Sequence, residues 1–138
     1  MTISVNPVSQ QVGKMVIKIT GATSAANAGL GQLLNPEGVD CAILRSELYI
    51  KTASTGAANL GVGVTTTGAK GTDIVNDLAV NGAITGKIYN GNTIQETAKT
   101  EITAPVIWSA DKYITFTGSA DSTGLVAYLI VEYVRLPF

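Results

Sequence analysis

The stretch LVAYLIVEYVRL, Leu125 to Leu136, alternates with period two, the spacing at which successive residues of an extended chain point to opposite sides. Its two sides differ less than those of an ordinary surface strand. Leu125, Ala127, Leu129, Val131 and Tyr133 fall on one, Val126, Tyr128, Ile130 and Val134 on the other, and between them only Glu132 breaks the apolar run. A strand covered on both sides is either central to a sandwich or partly at a subunit interface. Leu125, Ala127, Tyr128, Leu129, Ile130, Val131 and Tyr133 are therefore the candidate core or oligomer strand. Fully burying one such side chain is worth about 1.5 to 3 kcal/mol, which makes this run a large source of stability. Ile130→Asp is expected to leave the protein insoluble or monomeric.

Shorter runs of the same period fill the rest of the chain. MVIKIT, Met15 to Thr20, sets Met15, Ile17 and Ile19 against Val16 and Lys18. From Cys41 to Thr52, Ala42, Leu44, Ser46, Leu48 and Ile50 oppose Arg45, Glu47, Tyr49 and Lys51. In AANLGVGV, Leu60, Val62 and Val64 alternate with Asn59, Gly61 and Gly63, so one face carries almost no side chain. Glycine at alternate strand positions marks a bend, a bulge or the close approach of another backbone, and Gly61 and Gly63 are the candidate close-packing glycines. ITGKIY (Ile84 to Tyr89), TEITAPVIW (Thr100 to Trp108) and KYITFT (Lys112 to Thr117) complete the strands. Turn signals at Asn81-Gly82, Asn90-Gly91, Ser109 to Asp111 and in GSADSTG separate them. Two short segments read as single helical turns: Leu30 to Leu34, stopped by Pro36, and TDIVNDL, capped by Thr72 or Asp73 with Ile74 and Leu78 packing inward.

Seven or eight strands with turn signals between them predict an all-β fold, a jelly-roll-like antiparallel β-sandwich with one short helical turn. The 138 residues suit one domain, with residues 1–14 either part of it or an extended arm. Only 14% of residues are charged and the net charge is -1, so no field draws nucleic acid or an anionic membrane. Low charge points to an outer surface covered by a homo-oligomer or a larger assembly. The N-terminal sequence has neither a basic segment nor an apolar stretch of the secretory kind, and the expectation is a protein made and kept in the cytoplasm unless carried out by something larger.

The chain contains no histidine and one cysteine, Cys41, which excludes an intrachain disulfide, a Cys/His zinc site and histidine-assisted serine or cysteine catalysis. GVGVTTTGAKGTDIVND, Gly61 to Asp77, spaces Gly63 and Gly68 like a phosphate-binding loop, but Ala69 separates Gly68 from Lys70 and Gly71 stands where the hydroxyl belongs. Asp73 and Asp77 lack the alternating ligands of a calcium loop. Glu96 with Glu101, and Asp111 with Asp121, are the carboxylate pairs a glycosidase would need, and Tyr49, Tyr89, Trp108 and Tyr113 are the aromatics that could stack on sugars. The expectation is no enzyme, no metal and no cofactor.

Three elements together, ANLGVGV, TDIVNDLAVNGAITGKIYNG and SADKYITFTGSADSTGLVAYLIVEYVRL, resemble the small capsid decoration and head-fibre proteins of tailed bacteriophages. The likeness covers Ala57 to Leu136. It implies a jelly roll, often trimeric, bound to the major capsid protein on the exterior of the virion and reinforcing the shell, with no nucleic-acid or membrane partner. The alternative is a phage adhesin or fibre module that recognises a host-surface glycan.

Overall fold

The alternation that dominates the sequence becomes nine strands in the computed structural model, which describes Ile3 and residues 12–23, 29–66, 69–91, 94 and 106–136. In chain order they are β1 (Val12–Thr20), β2 (Gly31–Leu34), β3 (Asp40–Thr52), β4 (Asn59–Thr65), β5 (Val75–Ala79), β6 (Ile88–Gly91), β7 (Val106–Trp108), β8 (Tyr113–Gly118) and β9 (Val126–Leu136). No helix occurs among the described residues. The larger sheet runs β1-β9-β3-β6, with β7 also paired to β3, and the smaller runs β2-β8-β4-β5. Every named pair is antiparallel.

The pairing is nested. β1 pairs with β9, β2 with β8, β3 with both β6 and β7, and β4 with β5, as in one long hairpin closed at its centre. Winding that hairpin into two layers then lays β9 beside β3 and β8 beside β4. This is the connectivity of a jelly roll, with one of its eight strand positions shared between β6 and β7. The inward faces of both sheets close on one apolar core, and Leu48, Ile50, Leu60, Val62, Ile114, Leu125, Leu129 and Val131 are completely shielded from solvent. Trp108 is also fully buried, its indole N–H donating to the Lys112 carbonyl at 3.0 Å.

Three details depart from the sequence pattern. In β3 the register shifts between Ile43 and Arg45, and this bulge at Leu44 reverses the alternation. Cys41 and Ile43 face the core before it and Ser46, Leu48 and Ile50 after it, whereas Ala42 turns outward and Leu44 is exposed. The two expected helical turns are strands. Leu30 to Leu34 contributes β2, which pairs with β8, and TDIVNDL contributes β5, which pairs with β4. A bulge explains the second misreading: Leu60 and Val62 oppose Leu78 and Val75, so three steps of β5 match two of β4. Asp77 takes a positive φ of 49° there. The resulting spacing of buried Ile74, Val75 and Leu78 imitates a helix.

Strand and turn limits also move. The segment Ile84 to Gly86 is a turn with Gly86 at φ 86°, so the strand expected from Ile84 starts only at Ile88. Asn90 and Gly91 lie within β6 rather than at a turn. Of the strand expected from Thr100, Val106 to Trp108 form β7 and the remainder lies outside the described residues. Of residues 1–14, Val12 to Lys14 belong to β1, and all the others except Ile3 lie outside the described residues.

Candidate functional site

The candidate strand becomes β9, flanked on one side by β1 and on the other by β3. Leu125, Ala127, Leu129, Val131 and Tyr133 point into the core, with exposures of 3% or less. Tyr128 and Ile130 lie on the opposite face, partly accessible between side chains of the two neighbouring strands. Antiparallel register places directly paired residues on one side of a sheet, so the outer face of the larger sheet can be assembled row by row.

At one end Ile107, Ala42, Val134 and Val12 form an apolar row across β7, β3, β9 and β1. The next row is charged, Arg45, Glu132 and Lys14, beside the exposed Leu44 of the bulge. Asn90, Glu47, Ile130 and Val16 follow, then Ile88, Tyr49, Tyr128 and Lys18. Tyr49 and Tyr128 stack with ring centroids 6.4 Å apart and planes 14° from parallel. Lys14 pairs with Glu132 at 3.3 Å and Arg45 with Glu47 at 3.4 Å, so four of the charges on this face are matched within it. Of the nine large apolar side chains that are exposed among the described residues, seven belong to this sheet and face outward; Ile3 and Leu34 are the other two.

The outer face of the smaller sheet is different. Gly61 and Gly63 of β4 and Thr115 and Thr117 of β8 share it, yet all four are buried. The cover is the chain's own β4–β5 connection, which folds back so that Gly71 lies on Gly63. Asp73 Oδ1 accepts the Val64 N–H at 2.8 Å, and Lys70 pairs with Asp77 at 2.7 Å. Asp73 as a whole residue is exposed, but its carboxyl lies against the β4 backbone. Desolvation there pushes its pKa up, opposed by the hydrogen bond from Val64.

A polar cluster ties the β2–β3 turn to β9 and β1. Buried Asn35 donates from Nδ2 to the carbonyls of Val39 and Trp108, both at 2.9 Å, and accepts the Glu37 N–H at 2.8 Å. Glu37 takes a hydrogen bond from the Tyr133 hydroxyl at 3.0 Å and an ion pair from Arg135, whose guanidinium also donates to the Val12 carbonyl at 3.1 Å. The Arg135 hydrogen bond is the main reason the Glu37 carboxyl titrates below its ordinary range. Burial, reinforced by Glu37, pushes Tyr133 up, and burial does the same to the Cys41 thiol.

The residues considered for chemistry are not brought together. Asp111 and Asp121 precede and follow the six-residue β8, which separates them by roughly 20 Å at about 3.4 Å per residue. Asp121 accepts hydrogen bonds from Thr123. Glu96 and Glu101 lie outside the described residues. Among the described residues no group of three or more His, Cys, Asp or Glu could hold a metal ion. Of the four aromatics, Trp108 is core and Tyr89 packs against the core, which leaves Tyr113 half-buried and Tyr49 exposed.

Sequence reasoning placed β9 but missed the composite outer face, because its members come from five strands and meet only through register. The signal available was the second apolar side of β9, which required covered neighbours. Compared with known protein families and with curated proteins, the chain matches none of them.

Proposed function

We propose that the chain is a structural protein of a tailed-bacteriophage particle, a jelly-roll subunit that associates with itself and packs on the outer surface of the capsid, contacting the major capsid protein. The observation that carries this reading is the outer face of the larger sheet, where seven exposed apolar side chains stand on five strands joined in one antiparallel sheet. An apolar surface of this kind is an expected feature of a protein that works packed against other protein. The motif likeness from Ala57 to Leu136 supplies the capsid. Many weak, repeated contacts on an icosahedral shell suffice for stable attachment, which fits a chain poor in charge.

The Tyr49–Tyr128 stack, with Tyr49 exposed and Tyr128 partly accessible, favours a second reading, a fibre or adhesin module that binds a host glycan through aromatic faces. Co-sedimentation separates the two. Added to DNA-filled and to empty expanded heads of the phage that encodes it, a decoration protein pellets with both, and particles lacking it resist heat and chelators less well. Pelleting with host cells or their polysaccharide, and not with heads, would replace the first reading by the second.

A further inference from the structure

The outer face of the larger sheet has a shape and composition that select its occupant. A heterologous contact, the kind that builds a trimer, requires two different complementary patches on each chain. Among the described residues seven of nine exposed large apolar side chains are on this face and Ile3 and Leu34 stand apart, so the other apolar surface, a groove lined by Ile17, Leu30, Leu33 and Phe116, is far smaller. With no second face of comparable apolar size among the described residues, the contact that covers this one with another copy is the self-complementary contact, face on face about a two-fold axis.

Size and charge agree. About four strands at 4.8 Å by about nine residues at 3.3 Å give a footprint of roughly 600 Å² per copy, and two copies bury about 1,200 Å², the low end for a specific interface. Lys14–Glu132 and Arg45–Glu47 are neutralised within the face, so stacking two copies introduces little net repulsion, and Lys18 lies on the edge strand where its head can reach water. Edge-to-edge joining of two β1 strands in the register that centres on the exposed Val16 is disfavoured instead. Antiparallel pairing centred on Val16 would set Lys14 of one copy against Lys18 of the other.

We infer that a second copy of this chain docks on the outer face of β1, β9, β3 and β6, face to face, forming a two-fold dimer with Val16, Ile130, Tyr49, Tyr128 and Ile88 in its contact. The inference rests on reading this face as a protein interface and not on the presence of a capsid. It also differs from the trimer implied by the motif likeness.

Sedimentation equilibrium of the purified chain over micromolar to millimolar concentration tests it. The expected species are one and two times the 14.2 kDa chain mass. Val16→Glu and Ile88→Glu, each at a site about two-thirds exposed in the single chain (64% and 65%), should leave the melting temperature of dilute protein unchanged. Each should weaken dimerisation by at least about tenfold, while Leu34→Glu on the smaller sheet does neither. A monomer throughout, a trimer, or a dimer indifferent to both face substitutions would overturn the inference. A dimer that fails to pellet with heads leaves it standing and removes the capsid reading.

Discussion

Gly63 and Gly71 meet backbone to backbone: a methyl group added to Gly63 would stand 2.6 Å from the Gly71 Cα and 2.2 Å from Asp73 Oδ1. Neither obstacle is the free end of a flexible side chain, because Asp73 is fixed by the Val64 N–H. Gly63→Ala must therefore lift the β4–β5 connection. Overpacking of this kind costs about 1 to 3 kcal/mol. Gly61→Ala meets its nearest atom at 3.0 Å and should cost less. Urea unfolding of the two variants checks the order, and equal losses would count against backbone contact as the cause.

Leu129 and Ile130 are neighbours with opposite duties. Leu129→Asp places a carboxylate between Ile17 and Leu48 in the core and should abolish folding. Ile130→Asp places it beside Glu47 on the outer face, so the chain should fold and lose self-association. Far-ultraviolet circular dichroism with sedimentation distinguishes the outcomes. The sequence pattern alone left insolubility and loss of assembly as equal consequences of Ile130→Asp, and the register now selects the second.

Ser46 is fully buried and its hydroxyl has no hydrogen-bond partner among the described residues. An unpaired buried hydroxyl costs about 1 to 3 kcal/mol of desolvation. Ser46→Ala removes that cost while changing little volume and should raise the free energy of unfolding by about 1 kcal/mol, seen as a higher urea midpoint. A loss of stability on this substitution would show that the hydroxyl does have a partner.

The Glu37 carboxyl titrates low because the folded state favours its charged form. Its contribution is therefore complete above the ordinary glutamate value of 4.5 and disappears as pH falls through the lower folded value. Tyr133 has the opposite sign: its contribution is complete below 10.0 and lost as pH rises through the higher folded value. Glu37→Gln should lower the thermal midpoint at neutral pH and converge on the wild type in acid. Parallel curves across that range would rule out the Arg135 pair as the source of the difference.

The sequence revealed what depends on period two and hid what depends on interruptions to it. β9, β1, β4 and β8 alternate without a break, and their positions were legible to within a few residues. The inward set of β3 was read out of phase up to Leu44, because an extra residue in a strand leaves no mark in composition. β5 was misassigned for the same reason, and β2 because four residues are too few to show a period. Gly61 and Gly63 announced that something would come close. That the visitor is Gly71 of the same chain depends on the path of a connection whose sequence, rich in Thr and Gly, encodes no direction.

The nested pairing orders events during synthesis. The innermost pair, β4 with β5, is complete when little more than half of the chain has been made, whereas the central strand of the larger sheet, β9, is the last of the described strands to be translated. Until it arrives, β1 and β3 each lack the neighbour that will separate them, and the gap is one strand wide. The open backbone edges of β1 and β3 can meanwhile pair with an extended segment of a nearby nascent chain, the β9 of another copy above all. A ribosome array producing this protein would therefore be exposed to strand exchange between adjacent chains for as long as β9 is still within the exit tunnel.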